Sequence, residues 1–400
     1  MARTRKLLPA RVDVAHLISA GVLASVCPRA LIEEVLAETG KSSQRERLLP
    51  APAVVYYVMA LALWREAPLE EVLRVVCEGL HWLGRGETGA VRASKSAISQ
   101  ARTRLGSQAM RQLAERVLHP LAAPGAPGAW YRGFRVMALD GSCMEVADES
   151  ANAEFFGYPA ASRGQSAFPQ ARLLGLVECG THVVVAAEVA PYIRSEQAMA
   201  AQMLPTALKA DMLVLADRNF FSFKLWQVAC ATGAKLVWRA KVDRQLAVNQ
   251  MLPDGSYLSR VYDGADKRRT SQGEVIRVIE YALKDSATPA EGSYRLVTNI
   301  LDPLQAPALE LAALYHERWE IEGVFDEFKT HLRANSTVLR SKTPDLVLQE
   351  LWGLLLAHFA IRQLMVQAAW PRGLDPDVLS FTHAVRVIKR KLPQAAAVPP

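Results

Sequence analysis

Phe134-Arg-Val-Met-Ala-Leu-Asp-Gly141 is a nearly unbroken apolar run that ends on a carboxylate and a glycine. A short run of this composition reads as a buried strand. Outward from it the pattern repeats. Leu173–Glu178 and His182–Val189 read as two further strands turning at Gly180, and Ser195–Leu208 as a helix. Met212-Leu-Val-Leu-Ala216 is another buried strand, ending at Asp217. Phe220–Thr232 is then helical and Lys235–Ala240 is strand again. Strands alternating with helices predict an α/β core.

Residues 125–243 hold the first part of that core. Residues 244–303 break the rhythm: Pro253-Asp254-Gly255 is a hairpin signal, and Glu274–Leu283 and Tyr294–Leu301 are rich in strand formers. They predict a mainly β insertion. The core resumes over 304–370 with two long helices, Ala308–Leu332 and Asp345–Ala369. A tail, 371–400, carries Arg386, Lys389, Arg390 and Lys391. On the other side, Ala122–Ala129 is a Pro- and Gly-containing linker, and residues 1–124 are helical, with apolar spacing of three and four over Leu17–Leu36 and Val54–Leu80. Within them Ser94–Gly106 predicts a short capped helix whose polar side carries Lys95, Ser99, Gln100, Arg102, Thr103 and Arg104. This is like the second helix of a helix-turn-helix, with Lys95, Arg102 and Arg104 as DNA contacts; an ordinary surface helix would show the same residues. Arg3, Arg5 and Lys6 form a basic tail suited to DNA or to disorder.

The chain has 400 residues, enough for two or three domains, and is 50% hydrophobic and 22% charged, which excludes a disordered chain. Its net charge of +7 favours a polyanionic partner, though a merely basic enzyme has the same balance. The five cysteines form no CxxC pair, so a reduced cytosolic setting without a zinc site is expected. The apolar runs Ala51–Trp64 and Leu351–Ile361 fall short of a membrane span, and no membrane segment is expected.

Two features point to chemistry. Asp140 and Asp217 each follow the last apolar residue of a predicted central strand, where open α/β sheets gather their ligands. The helix from Ala308 carries Tyr315, Arg318, Glu322 and Lys329 within an arc of about 60° on a regular helical wheel. Leu314, Ile321, Val324, Phe325 and Phe328 fill the adjoining packing face. Arg318 and Glu322 alone could be an exposed ion pair worth a few tenths of a kcal/mol. With two strand-end aspartates upstream, the same stripe suits phosphodiester cleavage. Three carboxylates, Asp140, Asp217 and Glu322, would hold two Mg²⁺ ions, and Arg318, Lys329 and Tyr315 would meet phosphate oxygens. Trp238 is expected in the core, and Trp319 is read with the same caution; Arg218 suits a phosphate or a surface salt bridge equally.

These residues make the chain similar to the insertion-sequence transposases of the IS-four family, within the DDE group. They are Asp140 in Leu-Asp-Gly, Asp217 in Ala-Asp-Arg-Asn-Phe-Phe, and Glu322 in a Tyr-Arg-Glu-Lys signature. The resemblance covers most of the chain. It implies an RNase H-like catalytic core with a β insertion, preceded by a helical DNA-binding domain. It implies cut-and-paste transposition at terminal inverted repeats with Mg²⁺, for which Mn²⁺ can substitute, and a homodimer on paired DNA ends that acts on transposon and target DNA in a bacterial cytoplasm, at the nucleoid. A nuclease of the same fold, or a transposase-derived DNA-binding protein, are the alternatives. Asn219 stands where the family often has glycine.

Overall fold

The computed structural model describes residues 20–43, 48–79, 93–161, 164–282, 293–332 and 338–391. The basic tail at Arg3, Arg5 and Lys6, and the helix start expected at Leu17, lie outside them. The amino-terminal part is helical, as its spacing predicts: α1 (Ala20–Val26), α2 (Arg29–Glu38), α3 (Ala51–Leu63), α4 (Leu69–Gly79), α5 (Lys95–Leu105) and α6 (Ser107–Val117). Then come β1 (Trp130–Tyr131), β2 (Phe134–Val146), α7 (Ser150–Phe156), the small hairpin β3 (Ala160–Ala161) and β4 (Gly164–Gln165), β5 (Gln170–Glu178) and β6 (Val183–Pro191). They are followed by α8 (Glu196–Ala207), β7 (Met212–Ala216), α9 (Phe223–Cys230) and β8 (Lys235–Arg239). Four more strands succeed them, β9 (Gln250–Met251), β10 (Tyr257–Val261), β11 (Glu274–Ala282) and β12 (Ser293–Thr298). The chain closes with α10 (Ala308–Leu314), α11 (Glu320–Asp326), β13 (Val338–Leu339), α12 (Pro344–Ala369) and α13 (Phe381–Lys391).

One large sheet runs in the order β6-β5-β2-β7-β8-β12-β11-β10-β9. Strands β2, β7 and β8 are parallel, while β5 is antiparallel to both β2 and β6. All five residues of β7 are buried, as a parallel strand covered on both faces requires. The strands of 244–303 do not form a separate sheet. β12 pairs antiparallel with β8, so they prolong the core sheet. Asp254, in the β9–β10 turn, fastens them to α10. Its carboxylate accepts from the Ala308 N–H at the start of that helix and pairs with Arg277, whose Nη1 donates to the Ala306 carbonyl at 2.7 Å.

The extent of β2 differs from its apolar run. The strand passes through Asp140 to Val146, because its second half keeps pairing with β5, from Asp140 opposite Gly175 to Glu145 opposite Gln170. Its parallel neighbour β7 stops opposite Leu139. Asp140 is therefore the first residue past the end of the neighbour, not of its own strand, and the sheet opens there.

Helix α12 is the hub of the packing. It touches α1, α3 and α6 on the amino-terminal side and β6 on the sheet side. Pro344–Arg372 is long and apolar enough to cross a membrane, but 83% of its apolar window is buried inside the protein. At Gly353 α3 comes so close that an added Cβ would lie 2.7 Å from Val58. The 122–129 segment, read as a linker, is docked too: the buried Glu178 carboxylate accepts from the N–H groups of Leu121 and Ala122 at 2.9 Å.

Candidate active site

The site forms where β7 ends and β2 continues, beneath the helix that starts at Ala308. That helix is not regular. Tyr315–Trp319 is a 3-10 turn and Glu327–His331 a π turn, on either side of α11. A 3-10 turn winds more tightly than an α-helix and a π turn more loosely, so a uniform wheel misplaces the side chains beyond each junction.

Tyr315 is the clearest consequence. Expected on the phosphate-facing stripe, it is 2% exposed, and its hydroxyl donates to the Ala216 carbonyl at 3.2 Å. Burial pushes its phenol pKa up, Arg318 opposing and Asp217 adding to the rise. Tyr315 thus ties the helix to the end of β7, beside Asp217, with its hydroxyl proton given to the backbone.

Arg318 is also buried and joins the carboxylates. Its Nη1 donates to Asp140 Oδ2 at 2.9 Å and its Nη2 to Glu322 Oε1 at 3.5 Å. Burial works against its charge, but Tyr315, Asp140, Asp217 and Glu322 outweigh that and raise its pKa. All three expected carboxylates therefore act on one guanidinium. They are not drawn into a tight cage, because Arg318 fills the gap between Asp140 and Glu322.

Asp140 Oδ1 accepts from the Gly141 N–H at 2.8 Å and Asp217 Oδ1 from the Arg218 N–H at 2.6 Å. Burial lifts the Asp140 carboxyl to about 6; the Gly141 N–H and Arg318 pull it down, while Glu196 and Asp217 push it up. A half-buried carboxylate raised by burial, with acidic neighbours adding to the rise, is one that a cation would stabilise. The donors are hard oxygens, the type Mg²⁺ and its relatives take. On both counts the residues fit a divalent cation.

Glu322 and Lys329 are exposed, as the stripe requires, and Lys329 lies within electrostatic reach of Cys143 on β2. Trp319 is 51% exposed, with the Arg318 guanidinium 5.0 Å over its ring, whereas Trp238 is wholly buried. Asn219 needs no glycine-like backbone: among the described non-glycine residues only Arg132, His182 and Arg269 have positive φ. The Asp217 turn closes instead by the Phe220 N–H on the Asp217 carbonyl.

Two residue groups escaped the sequence reading. Glu196, at the first turn of α8, packs against Gly141 so closely that a Cβ there would meet its Oε1 at 2.5 Å. It brings a fourth carboxylate beside Asp140 and is held by Arg172 at 3.5 Å. Glycine at 141 leaves the Glu196 carboxylate room beside Asp140, and a side chain there would make it shift. The second group is His182, Glu320 and Asp377, whose ligand atoms lie within 4.8 Å of one another. His182 Nε2 lies 3.5 Å from Glu320 and 3.2 Å from Asp377. Burial lowers the ring's pKa, but the two carboxylates outweigh it and raise it to about 9, so His182 pairs with them as a cation and the cluster braces the helix two residues before Glu322.

The expected DNA-binding helix is α5. Ser94 caps it, its Oγ accepting from the Ala97 N–H, and Gly106 ends it at φ 74. Lys95 and Arg104 are exposed. Arg102 is not: it is 5% exposed, and its Nη2 donates to Ser341 Oγ and the Leu346 carbonyl at 3.1 and 2.8 Å. Its place is corrected from DNA contact to a strut between α5 and α12.

The chain is similar to known transposases. The family described as "Transposase DDE domain" matches residues 131–360, and "Insertion element 4 transposase N-terminal" matches residues 17–115. The chain is 28% identical over 365 residues to the transposase InsG for insertion sequence element IS4 of Escherichia coli (strain K12), covering 90% of this chain and 80% of that protein. It is 27% identical to the putative transposase InsZ of the same organism, over 60% of this chain and 77% of that one. Among solved structures, a piggyBac transposase synaptic complex with hairpin DNA aligns over 94% of this chain and 80% of its own, with a TM-score of 0.46 and 9% identity. The domain match, spanning more than half of the sequence and all three carboxylates, shows that the chain belongs to the IS4 family of DDE transposases, metal-dependent enzymes that cut and transpose DNA.

Proposed function

We propose that this transposase moves an insertion sequence by cut-and-paste, cleaving at terminal inverted repeats and joining the freed 3′ ends to target DNA. The observation that carries the reading is the joint hold of Asp140 and Glu322 on Arg318, with Asp217 in reach. The core is RNase H-like on this reading, supported by the order β6-β5-β2-β7-β8 with its antiparallel and parallel halves. Residues 1–124 bind DNA, through Lys95 and Arg104 among others, and a homodimer holds paired ends at the nucleoid.

Asp140, Asp217 and Glu322 would hold Mg²⁺, two ions, with Mn²⁺ able to replace it. When bound, the metal supplies a nucleophilic oxygen and a stabilised leaving oxygen. Arg318 neutralises the carboxylates, and its planar fork of several donors can also meet a non-bridging phosphate oxygen. Lys329 meets the strand as an exposed point charge. Tyr315 keeps the helix on β7, so the glutamate and the aspartates stay in register.

Full-length protein mixed with a duplex carrying the element's end tests the proposal. With Mg²⁺ it yields nicks with 3′ hydroxyls and, on adding target DNA, joined products; chelation stops both. Cleavage that never yields joined products means a nuclease, and products unaffected by chelation reject the metal site.

A further inference from the structure

Beside Asp217 lies a cleft of about 450 Å³, set between the chain ends of β7 and β8. Gln197, Asn219 and Phe221 form its walls, and Arg218, Lys241 and Arg244 bring three cations against one acid, Asp243. The walls are held in place by bonds independent of any ligand. Gln197 Nε2 donates to the Asn219 carbonyl at 2.5 Å. Arg244 lies 4.4 Å over the Phe221 ring and donates to the Phe221 carbonyl at 3.2 Å. Arg295 Nη1 donates to the carbonyls of Val242 and Arg244 at 2.9 and 2.6 Å, fixing the loop that carries two of the cations.

By contrast, the side chains of Arg218 and Lys241 are exposed and have no hydrogen-bond or ion-pair partner among the described residues. Two unpaired cations on a preformed wall, adjoining a cluster of four carboxylates, leave a specific task open. The carboxylates repel a DNA strand, so the strand must be held by positive charge just outside them. The volume is at the small end of ligand-sized pockets and admits a phosphate with its sugar, not a duplex.

We infer that this cleft is a phosphate subsite: Arg218, Lys241 and Arg244 bind a backbone phosphate of the strand that passes Asp217, a neighbour of the phosphate being cleaved. The inference rests on the transposase reading and extends it to the path of the strand.

The test uses full-length protein and an end duplex in which single phosphates near the cleavage point are replaced, one at a time, by uncharged methylphosphonate. In the wild type, one position other than the scissile one should weaken binding about tenfold, the worth of a charge-assisted contact. In the Arg218→Ala/Lys241→Ala variant, whose changes touch only exposed side chains, that same substitution should weaken binding by no more than about threefold, the part left to Arg244. The slope of log K against log salt should fall by about 0.7–0.9 for each phosphate the variant no longer binds. If the wild type binds and cleaves, yet the variant shows the same methylphosphonate pattern and the same salt slope, the subsite is refuted. If the wild type itself neither binds nor cleaves end DNA, the transposase reading fails first.

Discussion

Glu322→Gln should abolish metal-dependent cleavage of end DNA while leaving binding of that DNA almost unchanged. The side chain is exposed and its contact with Arg318 is long, so the amide keeps the shape of the helix and can still accept from the guanidinium. What it loses is the charge. Metal catalysis supplies several kcal/mol of transition-state stabilisation, and about 4 kcal/mol corresponds to roughly a 10³-fold rate. The rate should therefore fall about 10³-fold or more in a single-turnover assay. Cleavage within a few-fold of the wild type would remove Glu322 from the site.

Arg102→Ala and Arg104→Ala should separate cleanly, although the residues lie two apart on one helix. Arg102 is buried, its charge opposed by burial and offset foremost by Glu350. Its removal leaves the Leu346 carbonyl and Ser341 short of a donor and opens space between α5 and α12. Together these should cost about 2–4 kcal/mol in denaturant unfolding. Arg104 is exposed, so its loss should leave stability within about 0.5 kcal/mol while lowering the salt slope of DNA binding by about one. Equal stability of the two variants would contradict the strut, and an unchanged salt slope for Arg104→Ala would take α5 off the DNA.

Arg102 also marks where the sequence stops being legible. A serine cap, at Ser94 or Ser96, and a stop at Gly106 are local signals, and the helix uses Ser94 and Gly106. Which polar residue of an amphipathic helix turns inward depends on a helix far along the chain, and α12 cannot be placed from the α5 sequence. The same division runs through the active site. Asp140 and Asp217 are readable because buried strand runs are contiguous, and their meeting follows from β2 and β7 lying side by side. Glu322 is readable from its spacing to Arg318. Tyr315 is not, because packing winds Tyr315–Trp319 into a 3-10 turn and brings the phenol against Ala216. Glu196 leaves no mark beyond the glycine it packs against at 141, a glycine that an ordinary turn would also explain.

The central claim is that Asp140, Asp217 and Glu322 form one cation site that Arg318 guards. Anomalous scattering from Mn²⁺ in crystals of the full chain bound to end DNA tests it directly. The account predicts manganese coordinated by Asp140 and by Asp217 or Glu322, with the Arg318 guanidinium moved off Asp140 towards a phosphate. Manganese bound elsewhere, with Arg318 still on Asp140 in crystals whose DNA has been cut, would contradict it.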